Sequence, residues 1–252
     1  MNPTVSIITV AYNSEKTIKD TIESVLCQSY QNIEYIIVDG KSNDKTIEIA
    51  SSYKNKFKER LRIISEEDNG LYDAMNKGIT AAKGDIIGII NSDDFYIDKK
   101  VIEKVVSRMV RENVDSLYAN LVFISDIDKN KIVRTWIAKT GSFRMGWNPP
   151  HPTVFIKKSV YEKYGLFNTS FRIAADYDIL YRFFEKYKIT TTYLNEYIVK
   201  MRIGGESTKG IKSNIKGNME IYRILKKYNQ RFCFLVLQIR LLRKILQVKI
   251  GK

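Results

Sequence analysis

Asp85-Ile86-Ile87-Gly88-Ile89-Ile90-Asn91-Ser92-Asp93-Asp94 is a near-continuous apolar run that ends in two adjacent carboxylates. Read as a strand, it delivers those carboxylates to its carboxyl end, where open α/β sheets hold their ligands. Oxygen ligands on a short turn suit a hard divalent cation, Mn2+ or Mg2+, which completes its shell with a phosphate-bearing substrate. Taken alone, Ser92, Asp93 and Asp94 would serve equally well to turn the chain and cap the next helix. The segments upstream decide between these readings.

Val5 to Val10 is an apolar run rich in β-branched residues, ended by Ala11-Tyr12-Asn13-Ser14, and Ile18, Ile22, Val25 and Leu26 then recur at helical spacing. Asn13 or Ser14 is expected to cap that helix, with Glu15 in its first turn. Tyr35 to Val38 makes a second strand, stopped by Asp39-Gly40-Lys41-Ser42-Asn43-Asp44, and Ile47, Ala50 and Tyr53 mark the helix after it. Leu61 to Ser65 makes a third strand that runs into Glu66-Glu67-Asp68-Asn69-Gly70, followed by a helix from about Leu71 to Ala82. This βαβαβαβ order implies an α/β fold with a mostly parallel central sheet and right-handed crossovers. Four strand ends then bring polar groups to one edge: Tyr12 and Asn13, Asp39, the turn Glu66 to Asp68, and Asn91 to Asp94. Asp39 is placed to accept hydrogen bonds from a base or ribose, and the acids after strand four to hold a metal on a diphosphate. No glycine-rich phosphate fingerprint follows the first strand, so a nucleotide has to be held by side chains and a metal.

The 252 residues, 44% of them hydrophobic, suffice for one well-buried domain with a small tail. Cys27 and Cys233 stand far apart in apolar helical contexts, which suggests neither a disulfide framework nor a zinc cluster and fits a reducing, cytoplasmic setting. Met1-Asn2-Pro3-Thr4-Val5 lacks a basic start and a small-residue cleavage site and reads as the approach to a first strand. No segment approaches the roughly 18 to 20 apolar residues that span a bilayer.

Of the net charge of +14, nine positive charges and no acid fall in residues 221–252. There Leu235, Leu242, Ile245 and Leu246 share a helix with Arg240, Arg243 and Lys244, an apolar face beside a basic stripe. Such a helix suits an anionic membrane surface, each cation adding about 1 kcal/mol. A terminal helix packed on the domain or on a second subunit would show the same pattern. The expected division is a catalytic domain over 1–205 and a basic amphipathic tail over 206–252, removable from about residue 231 without loss of the folded domain. The cations lie beside an apolar tail without aromatic interleaving, which argues against a nucleic-acid partner.

Val5-Ser6-Ile7-Ile8-Thr9-Val10-Ala11-Tyr12-Asn13, Ile37-Val38-Asp39-Gly40-Lys41-Ser42-Asn43-Asp44, Gly70-Leu71-Tyr72-Asp73-Ala74-Met75-Asn76-Lys77-Gly78 and Asn91-Ser92-Asp93-Asp94 resemble, in order, the motifs of family 2 glycosyltransferases with the GT-A fold, such as the colanic-acid-type enzymes of bacterial surface polysaccharides. The resemblance covers about residues 3 to 205. It implies that Thr9, Ala11, Tyr12, Asn13 and Asp39 line a nucleotide pocket, that Asp73 and Asn76 lie close to the diphosphate and sugar, and that Asn91 and Ser92 border the same ligand. It also implies a metal motif with Asp93 as the ligand and Asp94 as its helper. Asn91 departs from the family pattern, which has an acid there.

Arg172 to Arg182 starts a helix with an acidic first turn. Asp176 and Asp178 would in any case stabilise its N-terminus, by about 0.3 to 1 kcal/mol each. The resemblance makes Asp176 the general base, with Ala175 standing where the family has Glu; Asp178 becomes a supporting or structural acid. An ionised aspartate can take the acceptor's hydroxyl proton as the new bond forms. His151, the single histidine, sits between Pro150 and Pro152 in a rigid extended segment that presents its imidazole at a fixed place; a lone loop histidine would serve equally as a structural residue, and the resemblance implies a place near the active site, on the acceptor side. Met201-Arg202-Ile203-Gly204-Gly205-Glu206-Ser207-Thr208 is similar to the family's closing loop, with Arg202 set against leaving-group charge, and would serve equally as a hinge between the domain and its tail helices.

The implied function is inverting transfer from a nucleotide-diphosphate sugar, expected to be a UDP-sugar, to a hydroxyl of a glycan or lipid-linked glycan, at the cytoplasmic face of the membrane. Two alternatives share the same residues. A nucleotide-sugar-binding protein without catalysis would hydrolyse no donor, and a nucleotidyltransferase would release pyrophosphate in place of a nucleoside diphosphate.

Overall fold

The computed structural model describes residues 2–203, 211–246 and 249–250, with side chains over 2–203 and 213–243. The first half alternates β1 (Val5–Ala11), α1 (Ile18–Leu26), β2 (Ile33–Asp39), α2 (Thr46–Ser52), the single turn α3 (Lys54–Phe57), β3 (Leu61–Ser65), α4 (Leu71–Ala81) and β4 (Ile86–Ile89). The four strands lie parallel in the order β3-β2-β1-β4. Register pairs Ala11 with Asp39 and Asp39 with Ser65, so the carboxyl ends of β1, β2 and β3 form one row.

The second half adds β5 (Phe95–Tyr96), α5 (Val101–Glu112), β6 (Ser116–Ile124), β7 (Ile132–Trp136), β8 (Phe155–Lys157), α6 (Lys158–Tyr164), α7 (Ala175–Tyr181), β9 (Thr191–Arg202), α8 (Ile211–Lys227), α9 (Cys233–Leu246) and β10 (Lys249–Ile250). Among the described residues the sheet has ten strands: β8 runs antiparallel to both β4 and β6 and so joins the halves, and β9 lies parallel to β6 and antiparallel to β5. Gly88 in β4 faces the Phe155 ring of β8, where a Cβ would stand 2.4 Å from Phe155 Cε1. Only glycine lets that ring cross the strand.

Every residue of β1 is buried, because helices cover both faces of the sheet. Val5, Ile7 and Ala11 pack with Ile18, Ile22 and Val25 of α1 and Val101, Val105 and Met109 of α5. Ile8 and Val10 pack on the other side with Tyr72, Met75 and Ile79 of α4 and with α7. Each such aliphatic side chain contributes about 1.5 to 3 kcal/mol on leaving water.

That second core also contains Ile221, Ile224 and Leu225 of α8 and Val236 of α9. Through these residues α8 and α9 pack on the body of the molecule, the arrangement expected of a terminal helix packed on the domain. The expected boundary at 205/206 lies outside the described residues. The basic stripe is corrected: Arg240 points inward and is only 9% exposed, while Phe232, Phe234, Leu235 and Leu242 are more than half exposed. The side chains of Lys244, Ile245 and Leu246 lie outside those described.

Candidate functional site

The loops after β1 and β2 are tied to each other. Asn13 N–H donates to Ser42 Oγ (2.8 Å), Ser14 N–H to Thr46 Oγ1 (2.7 Å) and Glu15 N–H to Asp44 Oδ2 (3.1 Å). In return Asn13 Oδ1 accepts Asn43 N–H (2.9 Å) and Glu15 Oε2 accepts Lys45 N–H (3.1 Å). The expected side-chain cap of α1 by Asn13 or Ser14 is thus replaced: the Ser14 carbonyl accepts the Ile18 N–H, and the Asn13 side chain serves the neighbouring loop. Asn13 holds a left-handed backbone at φ 48°, a conformation asparagine tolerates better than most residues.

Asp39 closes β2 with its carboxylate buried. It accepts the Ser42 hydroxyl and N–H and the Ser65 hydroxyl (2.7 Å), which fixes both oxygens at the strand ends. Tyr12 is 62% exposed beside it, the ring available for a flat partner. Thr9 and Ala11, expected in the same pocket, turn to the interior. Their odd positions on β1 face α1, and Thr9 Oγ1 accepts from the Tyr35 hydroxyl at 3.1 Å.

At the start of α4, Asp73 Oδ2 accepts the Asn69 N–H (2.9 Å) and lies 3.7 Å from Lys77 Nζ, which also pairs with Glu66 at 3.1 Å. Asn76 ties α4 to a distant loop: its amide donates to the Phe167 carbonyl (3.0 Å) and accepts the Phe167 N–H (2.9 Å). That reciprocal pair holds α4 against the segment leading to α7.

The turn after β4 separates its two acids. Asp94 is fully buried, its Oδ1 accepting the Arg202 N–H (3.3 Å) and its Oδ2 the Asn91 amide (3.3 Å). Burial, then the charge of Asp93, holds its carboxyl well above the usual range. Asp94 thus ties the turn to the end of β9, with both oxygens of the expected helper ligand engaged by protein donors. Asp93 is partly exposed, and Asn91 Oδ1 is a buried oxygen with no hydrogen-bond partner among the described residues. Ser92 Oγ bonds Ser14 Oγ at 2.8 Å, tying the turn to the loop after β1. No group of three or more His, Cys, Asp or Glu side chains suited to a metal occurs among the described residues. One carboxylate and one amide oxygen still fit Mn2+ or Mg2+, since such ions complete their shells with waters and substrate phosphates.

Arg202 ends β9 with its guanidinium on Asp20 of α1, which also accepts from Lys129 at 2.9 Å. In this structure its charge is spent there. Gly204 to Thr208, the expected closing loop, lie outside the described residues.

Asp176 stands in the first turn of α7, its Oδ1 accepting the Tyr177 N–H at 2.7 Å. The hydroxyl of Tyr72, in the first turn of α4, donates to the Ile173 carbonyl (2.7 Å) and lies 3.4 Å from Asp176 Oδ1. Because α4 begins just after β3 ends, this contact sets Asp176 beside the carboxyl edge of the sheet. Burial, then the Asp176 charge, holds Tyr72 well above the usual phenol range, so it remains a donor. His151 begins a short helical turn pinned by Thr153, whose Oγ1 donates to the Ala119 carbonyl (2.9 Å) and accepts the Ala119 N–H (3.1 Å). Burial lowers the His151 pKa, and the Asp176 charge works against that shift. Asp178 is fully buried and accepts from Tyr228 (3.0 Å) and Lys227 (3.4 Å) at the end of α8, which is the structural one of its two expected uses.

One residue of the site has no counterpart in the sequence reading. Glu220 of α8, 6% exposed, accepts the backbone N–H groups of Arg172 (3.2 Å), Ile173 (2.9 Å) and Ala174 (2.9 Å) and so fixes the approach to Asp176. The only sequence signal is one acid on an otherwise basic helix.

Known proteins resemble this chain in sequence and in fold. An uncharacterized glycosyltransferase of Rickettsia typhi is 29% identical over 222 residues, 82% of this chain and 66% of the relative, so the chain spans just under two thirds of that protein. A PGL/p-HBAD biosynthesis glycosyltransferase of Mycobacterium tuberculosis is 26% identical over 203 residues, 77% of this chain and 74% of its own. Among solved structures, S. aureus TarS 1-349 in complex with UDP-GlcNAc superposes with a TM-score of 0.74 at 18% identity, covering 98% of this chain and 74% of that one. The mannosyltransferase PcManGT from Pyrobaculum calidifontis, in complex with GDP-Man and Mn2+, gives 0.69 at 15% identity, covering 95% and 69%. These likenesses mark the fold as GT-A. The Glycosyl transferase family 2 model matches residues 6–175, more than half of the sequence, and the chain belongs to that family.

Proposed function

We propose that the protein is an inverting glycosyltransferase that moves a sugar from a UDP-sugar to a hydroxyl of a glycan acceptor. The observation that carries this reading is the placing of Asp176 beside the first turn of α4, held there by Tyr72 and by the segment that Glu220 caps. The UDP-GlcNAc held by the TarS structure and the GDP-Man held by the mannosyltransferase support a nucleotide-sugar donor. The donor lies across the ends of β1, β2 and β4, its uridine beside Tyr12 and the Asp39 loop. The Asp176 carboxylate takes the acceptor proton, the acceptor oxygen bonds to the anomeric carbon from the face opposite the leaving group, and the bond to the diphosphate breaks to release UDP. A divalent cation bound by Asp93 and Asn91 Oδ1 would offset charge on the diphosphate.

The acceptor is proposed to be lipid-linked, with the enzyme peripheral at the cytoplasmic face of a membrane. Phe234, Leu235 and Leu242 on one side of α9 and Phe232 before it support this as an apolar contact surface, with exposed Arg223, Lys226 and Arg231 nearby in sequence. No helix among the described residues is long and apolar enough to cross a membrane. A screen of UDP-GlcNAc, UDP-glucose and GDP-mannose for hydrolysis, with and without Mn2+, tests the reading: one donor is expected to yield its nucleoside diphosphate. Hydrolysis of none would leave a binding protein, and release of pyrophosphate from UTP supplied with a sugar 1-phosphate in a parallel assay would make it a nucleotidyltransferase.

A further inference from the structure

Arg240 is a cation at a place where cations are costly. Its side chain comes from α9, is 9% exposed, and has Nε and Nη1 buried with no hydrogen-bond partner among the described residues. The guanidinium carbon lies 5.6 Å from the centre of the Tyr177 ring, and the Tyr177 hydroxyl is likewise buried without a partner among them. Tyr177 is the residue next to the proposed base. The backbone is shaped to bring Arg240 there: Gly146, at φ 68°, abuts α9 so closely that a Cβ would stand 2.6 Å from Arg240 N. Stacking on a tyrosine face offsets only about 1 to 2 kcal/mol, less than the several kcal/mol that an unpaired buried charge costs. Burial lowers the Arg240 pKa while Tyr177 and Asp176, in that order, raise it, which places the cation within the field of the base.

We propose that Arg240 and the Tyr177 hydroxyl form an oxyanion subsite on the acceptor side of Asp176, so that the acceptor carries a phosphate or carboxylate group close to the hydroxyl that is glycosylated. A guanidinium is the side chain best matched to such a group, planar and rich in donors. The inference rests on the proposed role of Asp176 and adds the chemistry of the acceptor to it. The neighbouring surface carries more cations than acids: a 310 Å³ groove next to Tyr181 is lined by Arg144, Lys186 and Lys227, with Arg144 paired to Glu185 (3.5 Å) and Lys227 to the buried Asp178 (3.4 Å).

The test is calorimetry on the full chain saturated with UDP, which keeps the donor site filled. Inorganic phosphate, hexyl diphosphate and glucuronate are titrated separately, to distinguish a free phosphate, a lipid-type diphosphate and a carboxylate. At least one is expected to bind, with affinity falling at least about tenfold in Arg240→Met and less in Arg240→Lys. Arg240→Met is also expected to melt no lower than wild type, since it keeps the contact with Tyr177 and removes an unpaired charge. Tyr177→Phe gives a second variant, expected to weaken the same probe without unfolding the chain. Absence of binding by all three probes in the wild type, or equal affinity in the folded Arg240 and Tyr177 variants, would overturn the proposal. Binding needs no turnover, so a wild type that binds the anion but hydrolyses no donor would overturn the transferase reading and leave the subsite standing.

Discussion

The Tyr72 hydroxyl lies 3.4 Å from Asp176 Oδ1 while donating to the Ile173 carbonyl at 2.7 Å, so the first turns of α4 and α7 meet through one phenol. The contact leaves Asp176 Oδ2 uncommitted to either bond. Replacement of Asp176 by Asn keeps an oxygen for the Tyr177 N–H and removes the base, so turnover is expected to fall about 10² to 10⁴-fold with UDP affinity within a few-fold of wild type. Wild-type turnover in Asp176→Asn would remove the base from Asp176.

Glu220 predicts a second loss, by a different route. Its carboxylate holds the backbone ahead of Asp176, and Glu220→Ala strips three backbone N–H groups of their acceptor, at about 1 to 3 kcal/mol for each one left buried and unpaired. Unfolding in urea is expected to show a loss of about 3 kcal/mol. Turnover should fall with UDP affinity intact, and Glu220→Gln, which keeps one acceptor oxygen, should recover part of both. Unchanged turnover in a destabilised Glu220→Ala would confine the residue to stability.

His151 reports on the site by itself, because it is the single histidine of the chain. Its imidazole signal in proton NMR is expected to titrate below the ordinary value of about 6.5. In Asp176→Asn it should titrate lower still, since the Asp176 charge is what raises it. A pKa depressed in the folded state means that the unfolded chain binds the proton more readily. The stability contributed by neutral His151 is thus complete above about pH 6.5 and is lost as pH falls through the folded value. An upward movement in Asp176→Asn would contradict the proximity.

The metal reading depends on Asp93 and Asn91 together. Asp93→Ala is expected to remove any gain in UDP affinity that Mn2+ gives over EDTA, and Asn91→Asp to preserve or increase that gain by restoring a second carboxylate. Calorimetry of UDP binding checks both; equal wild-type affinity with and without Mn2+ would set the metal aside. Asp94 is not expected to share this behaviour, since its oxygens hold the Arg202 N–H and the Asn91 amide.

The parallel half of the fold is legible in the sequence because each strand is an apolar run stopped by polar residues, and the row Asn13, Asp39, Asn91 follows from it. The direction of a side chain within a fully buried strand is not. Thr9 reads as a pocket residue, yet in β1 all seven positions are covered and its hydroxyl is satisfied by Tyr35. The acceptor half is less legible, because its links are made at long range: Glu220 caps residues 46 to 48 positions away. Arg240 and Arg243 read as one basic stripe at helical spacing. Arg240 turns inward where α9 closely approaches Gly146, and that approach leaves no periodic signal.

The C-terminal helix supplies the last prediction, which separates two uses of one element. Its inner face puts Val236 and Arg240 against the molecule, and its outer side exposes Leu235 and Leu242. A chain ending at residue 230 loses the inner contacts and uncovers the surface around Gly146 and Tyr177, so it is expected to melt at least about 5 °C lower and to aggregate. A Phe234→Ser, Leu235→Ser, Leu242→Ser variant keeps the inner face and is expected to melt within about 2 °C of wild type. If the outer face meets lipid, that variant loses flotation with phosphatidylglycerol vesicles, which the full chain should show more strongly at low salt than at high salt because its exposed cations are screened. Equal flotation of the triple variant and wild type would assign membrane contact elsewhere, and a truncated chain that stayed soluble with an unchanged melting temperature would return α9 to the status of a separable tail.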